Sequence, residues 1–248
     1  MKKQIITSLV ALSLSLSAFA QIKDADMLKK IQKTYPKLNV SAAIYLPEIK
    51  LFEVRIKDDN NLSYTNENID FFLINGSIIN PKTQENVSTT RNMEYVKDFL
   101  RSLPFEKSIE IKYGNINSKT RRRIAVFTDP DCQFCKATDK LIAAEMKKDD
   151  ITFNYFFNPL NIPGHELAPE KARKIWCSPN KVSAYKNWME NSILPDNNGT
   201  CKNPIQETKA IAVKNDFNST PTLVFDNGFI WKGAITPAQI RELLQAKK

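Results

Sequence analysis

Arg123-Ile-Ala-Val-Phe-Thr-Asp-Pro-Asp-Cys-Gln-Phe-Cys135 runs from a short apolar stretch through a turn to two cysteines three positions apart. Ile124 to Phe127 reads as a buried strand, and a helix is expected from Cys132 to about Lys147. The C-x-x-C pair therefore opens a helix that follows a strand. A helix N-terminus carries partial positive charge and free N–H groups. Both stabilise a thiolate and lower its pKa. The thiolate is the attacking species in disulfide exchange, and a second thiol three residues on can resolve the mixed disulfide. In such a geometry the first cysteine is the exposed one and the second faces back toward the helix. A zinc site would want a second close cysteine pair or nearby histidines. Here Cys177 and Cys201 are far apart and the single histidine, His165, reads as a surface or packing residue. A purely structural C-x-x-C disulfide does not call for placement at a helix start.

Around this stretch the pattern is strand, helix, strand, helical insertion, hairpin and helix. Ile109–Tyr113 precedes the Arg123–Phe127 strand, and Ile151-Thr-Phe-Asn-Tyr-Phe-Phe157 follows the helix. Helical stretches run from about Glu166 through Leu194, broken at Ser178-Pro179, and from Pro204 to about Asn215. Thr222–Phe225 and Phe229–Trp231 flank the Asn227-Gly228 turn, and a last helix spans Pro237 to Ala246. That order is thioredoxin-like.

The front of the chain is leaner and β-rich. Residues 24–35 place Met27, Leu28 and Ile31 at helical spacing. Leu51–Ile56 alternates as a half-buried strand, Asp58-Asp-Asn-Asn61 is a turn, and Leu62–Thr65 and Asp70–Ile74 are further strands before an Asn75-Gly76 turn. Residues 89–103 form a helix with Thr90 as cap and an apolar stripe of Tyr95, Val96, Phe99, Leu100 and Leu103, ended by Pro104. We read it as the joint between two domains. The division is residues 21–88, a linker helix over 89–106, and a catalytic domain over 107–248. A front unit of that size makes a marginal core alone, which dimerisation would remedy.

Lys2 and Lys3, an apolar stretch from Ile5 to Leu16 and the small-x-small pattern Ala18-Phe19-Ala20 form an export signal, cleaved after Ala20. The stretch is shorter than the roughly 20 residues a spanning helix needs. The signal has a bacterial character and points to a Gram-negative periplasm, where disulfides persist. With 42% hydrophobic and 25% charged residues the chain is globular in composition. The formal charge is +9; loss of residues 1–20 removes Lys2 and Lys3 and no acid, leaving +7. The one dense basic cluster, Lys119 with Arg121-Arg122-Arg123, reads as the solvated start of a strand, and export argues against a nucleic-acid partner. An even number of cysteines in an oxidising compartment favours full pairing. Cys177 and Cys201 therefore read as a structural disulfide clamping the helical insertion, with a second redox pair or another pairing as alternatives.

Phe127-Thr-Asp-Pro-Asp-Cys-Gln-Phe-Cys135, Ile175-Trp-Cys177 and Ser219-Thr-Pro-Thr222 together resemble three motifs of the periplasmic disulfide isomerases of the DsbC/DsbG type. The resemblance covers essentially the whole mature chain and is weaker before residue 90. It implies an α+β architecture. A small cystatin-like N-terminal dimerisation domain and a linker helix would lead into a C-terminal thioredoxin-like domain with a helical insertion, assembled as a V-shaped homodimer. It also implies Cys132 as nucleophile, Cys135 as resolving thiol, Cys177–Cys201 as the structural bridge, Pro221 as a cis-proline beside the site, and Thr220 presenting backbone groups to a bound peptide. No cofactor or metal is implied. The partners would be misfolded exported proteins and a membrane reductase of the DsbD type. Gln133-Phe134 departs from the Gly-Tyr or Pro-Tyr dipeptides best known between the cysteines of that family. Val126 stands where thioredoxin has a buried acid, and Asp131 and Lys136 read as solvated charges at the helix start. A dithiol oxidase, a DsbG-like protector of single oxidised cysteines, and a holdase chaperone are the rival functions.

Overall fold

In the computed structural model, residues 24–56, 62–74 and 76–246 are described. The export signal, the Asp58–Asn61 turn and Asn75 lie outside them. Two compact units divide between Asn92 and Met93.

In the first unit, α1 over 24–34 buries Met27 and Ile31. Four antiparallel strands follow in sheet order, β1 (Val40–Leu46), β2 (Leu51–Ile56), β3 (Leu62–Thr65) and β4 (Leu73–Ile74). Val40, Ala43, Phe52 and Val54 join the α1 residues in one core. The periodicity of the sequence does not reveal β1. There is a register shift between Val40 and Ala42, and the strand's fully buried residues Val40, Ala43 and Leu46 are three apart, so the alternation that marks a strand is missing. β4 is shorter than the expected Asp70–Ile74. The Asn66 carboxamide accepts from the Asp70 amide at 2.9 Å and donates to its carboxylate at 2.8 Å, and Ile69 sits at φ 62°, so the chain is still turning where a strand was expected. β2 is more buried than a half-buried strand. Glu53 is fully enclosed, its two oxygens bound by Arg55 Nε at 2.9 Å and Arg91 Nε at 2.7 Å.

The division falls within α2 (Val87–Ser102). The helix begins earlier than expected because Asn86, not Thr90, makes the capping bond: its Oδ1 accepts from the Thr89 amide at 3.0 Å. The Thr90 hydroxyl donates to Glu85 instead.

The second unit is a five-stranded sheet in the order β5-β7-β6-β8-β9. Its strands are β5 (Ile109–Lys112), β6 (Arg122–Thr128), β7 (Ile151–Phe157), β8 (Thr222–Phe225) and β9 (Ile230–Lys232). Only β6 and β7 run parallel, joined by α3 (Gln133–Glu145); the other pairings are antiparallel. β6 is buried on both faces, as its unbroken apolar run requires. Ile124 and Val126 pack with α3, α4 (Ala168–Trp176), α5 (Lys181–Asn191) and α7 (Pro237–Gln245). Ala125 and Phe127 pack on the other side with Val96 and Leu100 of α2, Ala212 of α6 (Ile205–Lys214), and Phe217. The insertion between β7 and α6 is α4 and α5. Gly228, at φ 97°, turns the β8–β9 hairpin where a Cβ would stand 2.3 Å from the Met93 carbonyl oxygen, so both conformation and space demand glycine. The basic cluster is not simply solvated. Arg121 donates to the carbonyls of Tyr113 and Ile151 at 2.8 Å, Arg122 grips Asp226, and Arg123 lies over the Phe105 ring. These contacts tie β6 to its neighbours.

Candidate active site

β6 ends at Thr128, the chain turns through Asp129-Pro130-Asp131, and Cys132 caps α3. Its sulfur takes the place of a capping oxygen and accepts the Cys135 amide N–H at 3.3 Å. Across the site Thr220 and Pro221 are joined by a cis peptide bond. The Thr220 carbonyl accepts from the Cys132 thiol at 3.2 Å. Cys132, Cys135, Thr220 and Pro221 thus meet at one place, whereas Cys177 and Cys201 bond to each other elsewhere in the unit with Cα atoms 5.6 Å apart.

Cys132 is not the exposed cysteine that the motif leads one to expect. It is only 5% exposed, because the Thr220 segment lies over it, and Cys135 is fully buried. What reaches solvent is Phe134 between them, at 55%. The two sulfurs nonetheless differ in acidity. Cys132 falls from an ordinary value of 9.0 to about 6. The main cause is the hydrogen bond from the Cys135 thiol, helped by the Thr220 side chain and the amides of Cys135 and Phe134 and opposed by burial. Cys135 moves the other way, pushed well above the ordinary value first by burial and then by the neighbouring Cys132 sulfur. The pair is therefore one ready nucleophile and one thiol that must be deprotonated when its turn comes.

The surrounding charges are engaged rather than solvated. Asp131 is almost buried and forms an ion pair with Lys171 of α4. Lys136 stands 4.1 Å over the Trp188 ring and donates to the Ser192 hydroxyl at 3.1 Å. Trp188 of α5 donates its indole N–H to the Pro130 carbonyl at 2.7 Å, fixing the turn that presents Cys132 to the helical insertion.

Two functional candidates escape a reading from spacing alone. Asp129 is fully buried; its carboxylate accepts the Asp131 and Leu160 amides, both at 2.7 Å, and lies 2.8 Å from His165 Nδ1. Its place in the tight Thr-Asp-Pro turn before Cys132 is the one sequence signal it carried. His165, read as a surface or packing residue, is in fact its partner. Asp139, one helical turn after Cys135, is buried with the Tyr185 hydroxyl donating to it at 2.6 Å. The signal there was an acid on the same helix face as a cysteine.

Residues 109–248 match the thioredoxin-like domain family. A probable thiol:disulfide interchange protein DsbC of Bordetella avium is 29% identical over 216 residues, 87% of this chain and 73% of that protein. The thiol:disulfide interchange protein DsbC of Escherichia coli K12 is 26% identical over 238 residues, 95% of this chain and 93% of that one. A solved structure, a disulfide interchange protein from Neisseria gonorrhoeae, is 33% identical, covers 58% of this chain and 96% of that chain, and superposes with a TM-score of 0.51.

Proposed function

The chain belongs to the thioredoxin-like family and is a thiol:disulfide interchange enzyme of the DsbC type; from that premise we propose that Cys132 and Cys135 are its redox pair and that it isomerises and reduces disulfides in misfolded exported proteins. The observation that carries the assignment is the Cys132 sulfur, seated as the cap of α3 and held as a thiolate down to about pH 6. That thiolate attacks a client disulfide and forms a mixed disulfide while one client sulfur leaves. Either a second client thiol displaces Cys132, which isomerises the client, or Cys135 displaces the client, which reduces it. Thr220, beside the sulfur, presents backbone groups to an extended client segment, and Pro221 fixes that edge. Exposed Phe134, Ile162 and Ile193 give apolar contact to unfolded chains. Cys177–Cys201 has the structural role. No cofactor enters this chemistry.

The same reading places the mature protein, from Gln21 after cleavage, in the periplasm, kept reduced by a membrane reductase of the DsbD type. Residues 21–88 form a cystatin-like dimerisation domain, 89–106 the linker and 107–248 the catalytic domain. Exposed Phe71, Ile74 and Ile79, around the edge strand β4, support pairing of two chains there. In the test, C132S abolishes isomerisation of a scrambled disulfide protein and C135A accumulates mixed disulfides. Wild-type turnover by C132S refutes the assignment. Light scattering tests the assembly: full-length protein that is monomeric at micromolar concentration would leave a redox enzyme without the dimer.

A further inference from the structure

The resolving step has an unmet chemical need. Cys135 cannot attack as a thiol, yet burial and its neighbour hold its proton firmly. The position that carries a buried acid in thioredoxin is Val126 here, an apolar residue of the core. The acid that this chain does bury near the pair lies on α3 itself. Asp139 follows Cys135 by one turn, so their side chains share a helix face.

The surroundings of Asp139 are those of a titrating group rather than of a structural ion. Among the described residues its partners are tyrosine hydroxyls, not cations: Tyr185 of α5 donates at 2.6 Å, and Tyr155 of β7 also hydrogen-bonds to it. The Tyr155 and Tyr185 rings are in contact, centroids 4.6 Å apart. An asparagine would satisfy both hydroxyls without the cost of burying an ionisable carboxyl. The titratable groups that act on it are Cys132 at the cap of α3, Tyr155 on β7, Tyr185 and Glu190 on α5, and Tyr113 after β5, with Cys135 one turn earlier on its own helix. Burial above all lifts its carboxyl from 3.8 to about 7; the tyrosine bonds pull it down, and the charges of Glu190 and Cys132 lift it further. Thr128, the last residue of β6, completes the path. Its hydroxyl is buried without a hydrogen-bond partner among the described residues, and it pulls down the pKa of both the Cys135 thiol and the Tyr185 hydroxyl.

We propose that Asp139 accepts the proton of Cys135 during resolution, through the hydroxyls of Thr128 and Tyr185. The proposal rests on the redox-pair reading of Cys132 and Cys135. In the step, the Cys135 S–H bond breaks and the proton passes to the Asp139 carboxylate. The Cys135–Cys132 S–S bond forms as the Cys132–client S–S bond breaks, and the client sulfur leaves with the electron pair as a thiolate. The enzyme dithiol loses two electrons and the client disulfide gains them. The site times the base as well. In the reduced enzyme the Cys132 thiolate helps keep Asp139 protonated; once that sulfur is tied up in a mixed disulfide the charge is gone, and the carboxyl ionises when a base is needed.

Rapid mixing of the reduced full-length protein with 5,5′-dithiobis(2-nitrobenzoate) separates the steps. The first thionitrobenzoate released reports attack by Cys132, and the second reports resolution by Cys135. In the wild type the second phase accelerates as pH rises through a midpoint below the reduced enzyme's value of about 7, because the Cys132 charge that lifts the carboxyl is gone in the mixed disulfide. D139N keeps the first phase; its second phase slows on the order of a hundredfold above that midpoint and loses the pH step. Y185F removes a link of the proton path as well as a bond that favours the carboxylate, so its second phase slows and its midpoint moves above that of the wild type. A D139N second phase with wild-type rate and pH profile overturns the proposal while leaving the redox pair intact. Wild-type protein that releases no second equivalent overturns the redox-pair reading and this proposal with it. If D139N does not fold, an unmoved Y185F midpoint is the result that overturns it.

Discussion

The carboxylate of Asp129 and the imidazole of His165 lie 2.8 Å apart, Asp129 Oδ2 against His165 Nδ1, with Asp129 wholly enclosed. The same carboxylate takes the amides of Asp131 and Leu160, and the Asp129 carbonyl accepts from the Cys132 amide at 3.2 Å. One side chain therefore holds the turn before the nucleophile and the segment after β7. Removing it strands two amides that have no other acceptor among the described residues. D129A should cost about 3 kcal/mol of stability, since hydrogen bonds to a charged group are the strong kind. H165A, which leaves both amides paired, should cost less. Urea unfolding of the two variants checks the order; a D129A loss below that of H165A would mean that the amides find other partners.

The Cys132 sulfur should titrate far below an ordinary thiol. Alkylation of the reduced protein by iodoacetamide should rise to half its maximum near pH 6, not near 9, because the thiolate is the reacting form. The Cys135 thiol is the leading cause of the low value, so C135A should move the midpoint upward. A midpoint unchanged by C135A would assign the acidity to the helix terminus and Thr220 instead.

How much of this was legible in the chain follows from the range of the interactions. β7 carries the β-formers Ile151, Phe153, Tyr155, Phe156 and Phe157 with only Thr152 and Asn154 between them, all seven of its residues are buried, and its bounds match the sequence reading from Ile151 to Phe157. The cysteine spacing and helix start gave the chemistry because both are local. The bulged β1 and the shortened β4 were lost to local events that disturb periodicity. The polar framework of the site was lost for the opposite reason. Asp129–His165, Tyr185–Asp139 and Trp188–Pro130 join residues 36, 46 and 58 positions apart, and nothing in the local pattern of either partner names the other. The low exposure of Cys132 has the same origin, since the residue that covers it, Thr220, is 88 positions away.

Asp131 and Lys171 should be strongly coupled. Their side chains are 9% and 21% exposed, and one Asp131 oxygen has no hydrogen-bond partner. K171M leaves a nearly buried carboxylate without its cation. The expected loss is about 2 kcal/mol, below the 3–5 typical of a fully buried pair because water still reaches the lysine. D131N with K171M removes both charges and should recover most of that loss. A double-mutant cycle from denaturant unfolding measures the coupling. An additive result would mean that the pair contributes nothing beyond its separate side chains.

The Cys177–Cys201 bridge should govern stability and not turnover. It closes a loop across 24 positions, joining the end of α4 to the segment before α6. By loop-closure entropy such a link is worth about 3 kcal/mol. The loop has other ties to α4. Asn197 donates to the Lys174 carbonyl at 2.9 Å, and Gly199, at φ 66°, approaches so closely that a Cβ would stand 3.2 Å from that of Arg173. With the bridge gone these contacts still direct the segment, so the native fold should persist at reduced stability. Trp188, whose bond to Pro130 anchors the catalytic turn, lies on α5 inside the bridged loop, but that helix is also held in the core by its buried Tyr185 and Met189. The variant with both Cys177 and Cys201 changed to serine should therefore unfold at lower denaturant while keeping the Cys132 alkylation midpoint and disulfide exchange rate of the wild type, measured below its own unfolding transition. A shift of that midpoint would show that the bridge shapes the site as well as the fold.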